Sequence, residues 1–140
     1  MLLQSDHVTA YFDFAHAPSK VKATVNAVRE KHPDQYLIAC LELHTFSSLN
    51  PAFLPQYKGT LSEADVKIVY YSPHTLAIKK LPDISADQLS AYFDEPDLHV
   101  VTSAEELELK VKSVRKDVDT VLLWMSSGRF DGLDLVGVSS

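Results

Sequence analysis

The hydrophobic pattern of the chain alternates between short apolar runs typical of strands and longer stretches with a helical period. Strands are predicted at 8–14, 36–43, 66–71, 98–102 and 119–126. The near-continuous apolar run at 36–43 is typical of a strand covered on both faces. Strands separated by helices predict a three-layer, Rossmann-like α/β domain, with a mostly parallel sheet of about five or six strands and helices on both faces. Residues 1–140 are expected to form this single domain.

Helix start signals precede the apolar stripes between the predicted strands. They stand at Pro18, at Asn50 with Pro51, at Ser85 and at Ser103, and the last two open capping boxes. The stripes that follow are Val21, Val25 and Val28; Leu54, Tyr57 and Leu61; Leu89 and Phe93; and Leu107, Val111 and Val114. Residues 128–140 carry no pattern that assigns them to an element.

Charge and composition limit the partners that the domain can have. Lys+Arg number 13 against 19 Asp+Glu, a net charge of −6, so nucleic acid is not expected as a partner. No membrane partner is expected, because no apolar run approaches the roughly 18 residues of a membrane span, and no signal peptide is readable. The single cysteine, Cys40, excludes an internal disulfide and fits a reducing compartment, so a cytoplasmic location is expected.

Several common sites are excluded by their missing residues. The four glycines form neither a P-loop nor a dinucleotide-binding fingerprint, so most contacts to the phosphates of any nucleotide are expected to come from outside this chain. No two of the six histidines stand at the helical spacing of metal ligands, and no Gly-x-Ser-x-Gly elbow is present. Neither a metal site nor a serine hydrolase is therefore expected.

Ligands of open α/β sheets bind beyond the carboxyl ends of the strands. The turns at those ends are 13–18, 42–50, 71–74, 102–103 and 126–132. In the first turn, Asp13 can accept hydrogen bonds from the vicinal hydroxyls of a ribose, or it can simply cap the turn. His16 stands just before a helix N-terminus, where free amides and the helix dipole favour anions, or it packs against the turn.

Two further turns carry candidate binding groups. In 126–132, two hydroxyls and two glycines allow a close approach of the backbone to a ligand, and Arg129 can bind a carboxylate. The alternative there is a glycine turn with a solvated arginine. In 42–50, Glu42 and His44 are two residues apart and are expected on one side of the strand end, whereas the alternative is a polar loop with a helix cap at Asn50.

A family resemblance follows from the first of these motifs. Residues 12–24, which begin Phe-Asp-Phe-Ala-His-Ala-Pro, resemble the Asp-Tyr/Phe-Ala/Gly-His-x-Pro motif that opens the C-terminal domain of Mur ligases. Residues 37–42 with His44, and residues 61–66, match further along the chain. Residues 125–132 look most like the branch that recycles murein tripeptide, L-Ala-γ-D-Glu-meso-diaminopimelate. Thr45 and Ser48 stand where the alanine-adding branch usually has arginines, which favours the tripeptide branch.

The resemblance implies a place in cell-wall peptidoglycan synthesis or recycling. Mur ligases use ATP and Mg²⁺ to join amino acids or peptides to UDP-N-acetylmuramate through an acyl phosphate. Their central ATP-binding and N-terminal UDP-binding domains would lie outside this chain, which alone is expected to be inactive. The implied partners are UDP-N-acetylmuramate, the tripeptide and the rest of the ligase chain. Two alternatives stay open: a UDP-N-acetylmuramate–L-alanine ligase domain, and a free-standing binding module without chemistry.

The resemblance also implies roles for particular residues. Asp13 would bind the ribose hydroxyls, His16 would lie beside the nucleotide, and Lys20 and Lys22 would face its phosphates. The pocket for the peptide substrate would be lined by His44, Ser47, Ser48, Ser126, Ser127 and Arg129. No catalytic residue and no metal ligand are expected in this domain alone.

Overall fold

Six strands form one sheet in the order β1-β2-β6-β3-β4-β5. The structure, a computed structural model, describes residues 2–140, apart from the side chain of Phe46. The strands are β1 (Leu3–Gln4), β2 (Val8–Asp13), β3 (Tyr36–Glu42), β4 (Val66–Tyr70), β5 (His99–Val101) and β6 (Thr120–Met125). The helices are α1 (Pro18–Lys31), α2 (Phe46–Leu49), α3 (Pro73–Ile78), α4 (Ala86–Phe93), α5 (Ala104–Val114) and α6 (Leu135–Ser139), with 3₁₀ turns at Leu54–Tyr57 and Phe130–Gly132.

The register of the sheet brings the carboxyl ends of its central strands to one edge. All neighbouring strands are parallel except β1, which pairs antiparallel with β2. Asp13 on β2 and Leu41 on β3 both lie opposite Met125 on β6, and Glu42 lies opposite Tyr70. The loops 13–18, 42–50, 71–74 and 126–132 therefore start side by side, as expected of an open α/β sheet.

Two apolar cores cover the two faces of the sheet, which confirms the predicted three-layer α/β architecture. Alternate residues of β3 and β6 enter opposite cores, because side chains alternate across a strand. The first core contains Val21 and Val25 of α1 and Leu89 and Phe93 of α4. The second contains Leu107 and Val111 of α5 and Val138 of α6. Cys40 lies fully buried in the second core, where desolvation raises the pKa of its thiol, so it serves as packing.

The expected start of the second helix at Asn50 is wrong. The helix begins earlier, because the side chain of Thr45 accepts a hydrogen bond from the amide of Ser48 and the Ser48 hydroxyl accepts one from the amide of Thr45. Asn50 is instead the residue after the helix, and its Oδ1 accepts a 2.9 Å hydrogen bond from the amide of Ala52. The apolar stripe that was assigned to this helix, Leu54, Tyr57 and Leu61, is nevertheless buried as predicted.

Residues 128–140, which carry no assignable pattern, form a 3₁₀ turn and the short helix α6. Asp134 caps α6 by accepting a 3.1 Å hydrogen bond from the amide of Gly137. Ser139 then accepts a 2.9 Å hydrogen bond from the buried indole N–H of Trp124. Within residues 2–140, no helix is both long enough and apolar enough to cross a bilayer.

A Schellman motif ends α3 without the glycine that usually occupies it. The amide of Leu81 donates to the carbonyl of Leu76, and the amide of Lys80 donates to that of Ala77. This pattern requires the residue that follows the helix cap to be left-handed, and that residue, Lys80, has φ = 55°. A side chain with a Cβ is strained in this conformation, whereas glycine is not.

Replacing Lys80 with Gly is expected to raise the free energy of unfolding by about 0.5–1 kcal/mol, because the left-handed strain is removed. Urea denaturation monitored by circular dichroism measures the change. Lys79→Gly is the matched control, since the neighbouring lysine has φ = −82° and gains nothing from glycine. If both variants lose stability equally, the left-handed conformation of Lys80 costs nothing.

Candidate functional site

Asp13 closes the turn after β2 with one carboxylate oxygen and keeps the other free. Its Oδ1 accepts a 2.8 Å hydrogen bond from the amide of Ala15, which is an Asx turn. Its Oδ2 makes no hydrogen bond within residues 2–140, and the side chain is exposed. The two interpretations drawn from the sequence, turn closure and ligand binding, are therefore compatible in one carboxylate.

His16 is held in one tautomer by the backbone. A carbonyl can only accept, so the 2.8 Å contact between Nδ1 of His16 and the carbonyl of Phe14 places the proton on Nδ1 when the ring is neutral. Nε2 then carries the lone pair. The hydroxyl of Tyr57 donates to the carbonyl of His16, and burial raises the pKa of this tyrosine, so the phenol stays a donor. Both contacts fix the loop that presents the imidazole.

The N-terminus of α1 is open to an anion. Ala17 provides no side-chain cap, Pro18 occupies the first turn, and that turn contains no acidic residue. Lys20 and Lys22 are both exposed, but they flank the buried Val21. Successive helical residues are rotated by about 100°, so the two lysines lie about 200° apart and point to different sides of the helix. One site can use only one of them directly.

A pocket of about 300 Å³, the His16 pocket, lies between the loop after β2 and the loop after β3. Its lining residues are His16, Ala17, Thr45, Ser47, Ser48, Phe53 and Tyr57. It thus joins His16, predicted for the nucleotide, with Ser47 and Ser48, predicted for the peptide substrate. The sequence interpretation missed Thr45 and Phe53 as lining residues. Phe53 and Tyr57 stand at i and i+4, and this spacing was a usable signal because it places two aromatic side chains on one side of a helical turn.

Ser48 contributes to this pocket through its capping role. Its hydroxyl accepts from the amide and the hydroxyl of Thr45 at 3.0 and 2.9 Å and donates to the carbonyl of Thr45 at 3.0 Å. The residue is only 2% exposed. Ser47, by contrast, is exposed.

Glu42 joins the loop after β3 to the loop after β6. Its buried carboxylate accepts, through Oε1, a 2.6 Å hydrogen bond from the hydroxyl of Ser126 and a 2.9 Å hydrogen bond from the amide of Phe130. The hydroxyl of Ser126 in turn accepts from the amide of Gly128 at 2.7 Å. Ser126 is fully buried, and both its donor and its acceptor are used. The sequence pointed to Glu42 only as a neighbour of His44.

Gly128 is required by close packing against His44. A Cβ at this position would lie 3.1 Å from Cδ2 of His44 and 3.2 Å from Oε1 of Glu42. Both distances are tighter than ordinary van der Waals contact, so a larger residue would push the imidazole or the carboxylate away. The absence of a side chain at Gly128 thus lets the loop after β6 lie against His44.

Phe130 fastens the same loop to the second core. Its ring is fully buried, stacked on Tyr70 at 6.4 Å between centroids and edge-on to Trp124 at 5.3 Å. Phe130 and Asp131 have left-handed φ values of 52° and 53°, and the hydroxyl of Tyr70 donates to the carboxylate of Asp131. Desolvation first, and then the hydrogen bond to Asp131 and the charge of that carboxylate, raise the pKa of Tyr70, which stays protonated.

A second pocket of about 400 Å³, the Arg129 pocket, lies beside this loop. Its lining residues are Phe12, Phe14, Ser127, Gly128 and Arg129. The guanidinium of Arg129 is exposed and makes no hydrogen bond within residues 2–140. The hydroxyl of Ser127 is buried and has no partner in the same part of the chain. The predicted substrate residues are thus divided between two pockets, with His44 and Ser126 at the contacts of Glu42.

A larger depression of about 770 Å³ lies at the amino ends of the strands. There the guanidinium of Arg29 donates to Asp65 at 2.8 Å and to the carbonyls of Glu63 and Gln35 at 3.0 and 2.9 Å. The charges of Arg29 and Asp65 in this depression are therefore paired with each other, and no sequence motif points to this edge. We therefore place the candidate site at the carboxyl edge.

Curated relatives of this chain are ligases of UDP-N-acetylmuramate. A stretch of 53 residues is 49% identical to the UDP-N-acetylmuramate–L-alanine ligase of Lacticaseibacillus casei and covers 38% of this chain and 12% of that enzyme. A stretch of 79 residues is 37% identical to the enzyme of the same name from Lactiplantibacillus plantarum and covers 56% of this chain and 18% of that enzyme. The matches thus span less than one fifth of either relative. No protein-family model matches the chain.

Solved structures with the same fold also come from such ligases. A domain described as part of a UDP-N-acetylmuramate:L-alanyl-γ-D-glutamyl-meso-diaminopimelate ligase from Haemophilus ducreyi has a TM-score of 0.63 at 22% identity, over 96% of this chain and 93% of that domain. A murein peptide ligase from Psychrobacter arcticus has a TM-score of 0.71 at 19% identity, over 97% of this chain and 28% of that one. The UDP-N-acetylmuramate–alanine ligase of Thermotoga maritima gives 0.56 at 18%, over 93% and 25%.

Together, the comparisons define a Rossmann-like α/β domain of the kind found in ligases of UDP-N-acetylmuramate. The resemblance to Mur ligases that the sequence motifs indicate is confirmed, since the curated relatives and the structural neighbours are Mur ligases. The solved structures share 22% or less sequence identity with this chain, so they show a common fold. They do not separate the tripeptide branch from the alanine branch.

Proposed function

We propose that this chain is the C-terminal domain of an ATP-dependent ligase that joins a murein tripeptide to UDP-N-acetylmuramate through an acyl phosphate. The observation that carries the proposal is the division of the carboxyl edge into two pockets. The His16 pocket adjoins the first core through Tyr57, and the Arg129 pocket adjoins the second through Phe12. A ligase has to bring a nucleotide and an amine substrate together at one edge, and closure of such a domain excludes water from a hydrolysable acyl phosphate.

The nucleotide is proposed to contact the loop after β2. The free Oδ2 of Asp13 suits the ribose hydroxyls, and His16 lies beside the nucleotide. The open N-terminus of α1 favours phosphate, with Lys20 or Lys22 beside it. Residues 2–140 contain no group of three His, Cys, Asp or Glu side chains that could hold a metal ion. We propose that the rest of a longer ligase chain supplies most phosphate contacts. It would also hold the Mg²⁺ that neutralises phosphate charge.

The peptide substrate is proposed to contact the loops after β3 and β6. Arg129 suits a peptide carboxylate, because its guanidinium offers paired donors and is exposed. The hydroxyl of Ser127, together with His44 and Ser47, supplies further polar contacts. Ser48 and Ser126 would act by holding the backbone of the pocket, since their hydroxyls are used internally.

The alanine-adding reaction is the second candidate function, because both curated relatives described above carry the name UDP-N-acetylmuramate–L-alanine ligase. A free-standing binding module is a third. The size of the native protein, detected with antibody raised against this chain, separates the third candidate from the other two. A native protein far above 15.6 kDa indicates a larger enzyme, and one at 15.6 kDa indicates a free-standing module.

The decisive test is an assay of the native protein, purified with that antibody, in the presence of UDP-N-acetylmuramate and Mg-ATP. Release of phosphate that requires the tripeptide supports the proposal. Release that requires L-alanine instead supports the second candidate. Binding of a ligand without release of phosphate contradicts both ligase functions.

In the same native protein, Asp13→Ala is expected to raise the KM for ATP about tenfold or more, because two hydrogen bonds to hydroxyls are lost. Arg129→Ala is expected to raise the KM for tripeptide by a similar factor without changing the KM for ATP. Steady-state kinetics measures both, and Asp13→Asn, which can keep the bond to the amide of Ala15, separates ligand binding from turn closure. If Asp13→Ala leaves the KM for ATP unchanged, Asp13 is not in the nucleotide site.

A further inference from the structure

The second oxygen of the Glu42 carboxylate has no partner except a histidine that faces it. Oε1 accepts from both Ser126 and Phe130, but Oε2 makes no hydrogen bond within residues 2–140. Oε2 lies 3.9 Å from Nδ1 of His44. The side chain of Glu42 is 4% exposed, whereas that of His44 is 47% exposed. The imidazole therefore stands between a buried carboxylate and solvent.

This arrangement favours one tautomer of His44. The side chain of Glu42 is only 4% exposed, so a positive hydrogen beside Oε2 stabilises its carboxylate, and an Nδ1–H turned towards Oε2 supplies one across 3.9 Å, a separation longer than a hydrogen bond. The lone pair of the neutral ring then lies on Nε2, on the side away from Glu42. Gly128 packs against Cγ and Cδ2 of His44 and limits the rotation of the ring. The contact between Oε2 of Glu42 and Nδ1 of His44, together with the packing of Gly128 against the ring, orients Nε2.

We propose that Glu42 is a positioning residue that holds His44 as the Nδ1–H tautomer, and that Nε2 of His44 accepts the proton released by the amine substrate. The second part rests on the proposed ligase function. An amine enters as an ammonium ion, so an N–H bond must break before it can attack. One proton of the ammonium moves to Nε2, and the nitrogen lone pair then forms the C–N bond to the acyl carbon. The C–O bond breaks with its electrons going to the phosphate, which takes the second proton of the attacking nitrogen and leaves as hydrogen phosphate. The Glu42 carboxylate stabilises the imidazolium that results.

Other ionisable groups around His44 fit this role less well. Asp131 on the loop after β6 accepts from Tyr70 of β4, and Arg129 on that loop is a permanent cation. His16, beyond Thr45 in the His16 pocket, also presents Nε2, but its Nδ1 faces the carbonyl of Phe14. A neutral carbonyl stabilises an imidazolium less than a carboxylate does. The proton is therefore assigned to His44.

Glu42→Gln tests the positioning in the 140-residue chain itself. Ser126 and Phe130 both donate to the Oε1 position, so the amide oxygen of glutamine must lie there and its NH₂ must face His44. The NH₂ is a donor, so it favours the lone pair on Nδ1 and the proton on Nε2. Nitrogen-15 NMR of the imidazoles, at a pH where they are neutral, distinguishes the two tautomers.

In the natural sequence the Nδ1–H form of His44 is expected to predominate, and in Glu42→Gln the Nε2–H form is expected to predominate instead. His16 serves as an internal reference whose signals stay unchanged, and Glu30→Gln on the exposed surface of α1 is the matched charge control. Dispersed amide spectra confirm that each variant is folded. If His44 has the same tautomer in the natural sequence and in Glu42→Gln, the positioning role is overturned.

Kinetics of the native protein test the proton transfer. His44→Gln is expected to lower kcat at saturating substrates about 100-fold or more, and Glu42→Gln about tenfold, with the KM for ATP unchanged in both. Rates of Glu30→Gln should equal those of the natural protein. If His44→Gln keeps its kcat, His44 is not the proton acceptor. A native protein without ligase activity overturns the proposed function and this step together, whereas the tautomer of His44 tests the role of Glu42 independently.

Discussion

Replacing Phe130 with Ala is expected to lower the free energy of unfolding by about 3–5 kcal/mol, which is the usual cost of removing a fully buried aromatic ring. The ring packs between Tyr70 and Trp124 and is 0% exposed. Its loss leaves a cavity in the second core and releases the side-chain anchor of the loop after β6. Urea denaturation measures the stability. Hydrogen exchange at the amide of Phe130, which is bonded to Glu42, measures the release of the loop.

Phe14→Ala is the matched control, because it removes the same ring from a side chain that is 71% exposed. Its effect on stability should stay within about 0.5 kcal/mol, as for other surface substitutions. Phe130→Leu should recover part of the loss, since it refills some of the cavity. A loss below about 1 kcal/mol for Phe130→Ala would contradict the burial that the structure assigns to this ring.

The elements that the sequence predicts correctly carry a buried run or a strong capping signal that is visible in the local sequence. The strands 36–43 and 119–126 are continuous apolar runs, and their counterparts β3 and β6 lie in the middle of the sheet, covered on both faces. The capping box at Ser85 with Gln88 forms in full. At Ser103 only half of the box forms, because the carboxylate of Glu106 accepts from the hydroxyl of Thr102 instead.

The elements that escape prediction are too short to show a period. β1 has two residues, and α2 has four. α6 is fixed by contacts distant in sequence, such as the hydrogen bond between Trp124 and Ser139. Local patterns cannot show which distant groups will satisfy a buried indole, because that choice is made by packing.

The candidate site is predictable as a set of loops but not as a set of contacts. The rule for open α/β sheets selects the loops that begin at Asp13, Glu42 and Ser126, and the register brings these three strand ends together. The hydrogen bond between Glu42 and Ser126 joins residues 84 positions apart, and no motif announces it. The division of the predicted substrate residues into two pockets follows from such contacts.

At the opposite edge of the sheet, replacing Arg29 with Ala is expected to lower the free energy of unfolding by about 2–3 kcal/mol. The guanidinium joins the carbonyls of Glu63 and Gln35 to the carboxylate of Asp65. Asp65 also accepts from the amide of Leu37 at the start of β3. The variant loses the links between α1 and the segment before β4, and it leaves the carboxyl edge untouched. The stability should therefore fall without a change in the tautomers of His16 and His44.

The same variant is expected to weaken the dependence of stability on pH in acid. Burial alone would raise the pKa of Asp65, but the amide of Leu37 and the guanidinium of Arg29 outweigh it, and the net pKa is lowered. A lowered pKa in the folded state stabilises the fold above the ordinary pKa of aspartate, near 4, and this contribution disappears as the pH falls through the folded pKa. Without Arg29 the folded carboxyl takes up its proton at higher pH.

Urea denaturation at pH 7 and at a pH near 3 measures this dependence in the natural protein and in Arg29→Ala. The natural protein should lose more stability between the two pH values than the variant does, since it has more of this contribution to lose. Lys22→Ala, at an exposed position on the same helix, is the control and should follow the natural protein. Equal losses in the natural protein and in Arg29→Ala would mean that Arg29 does not lower the pKa of Asp65. The ion pair would then hold the amino edge together through its hydrogen bonds to the backbone alone.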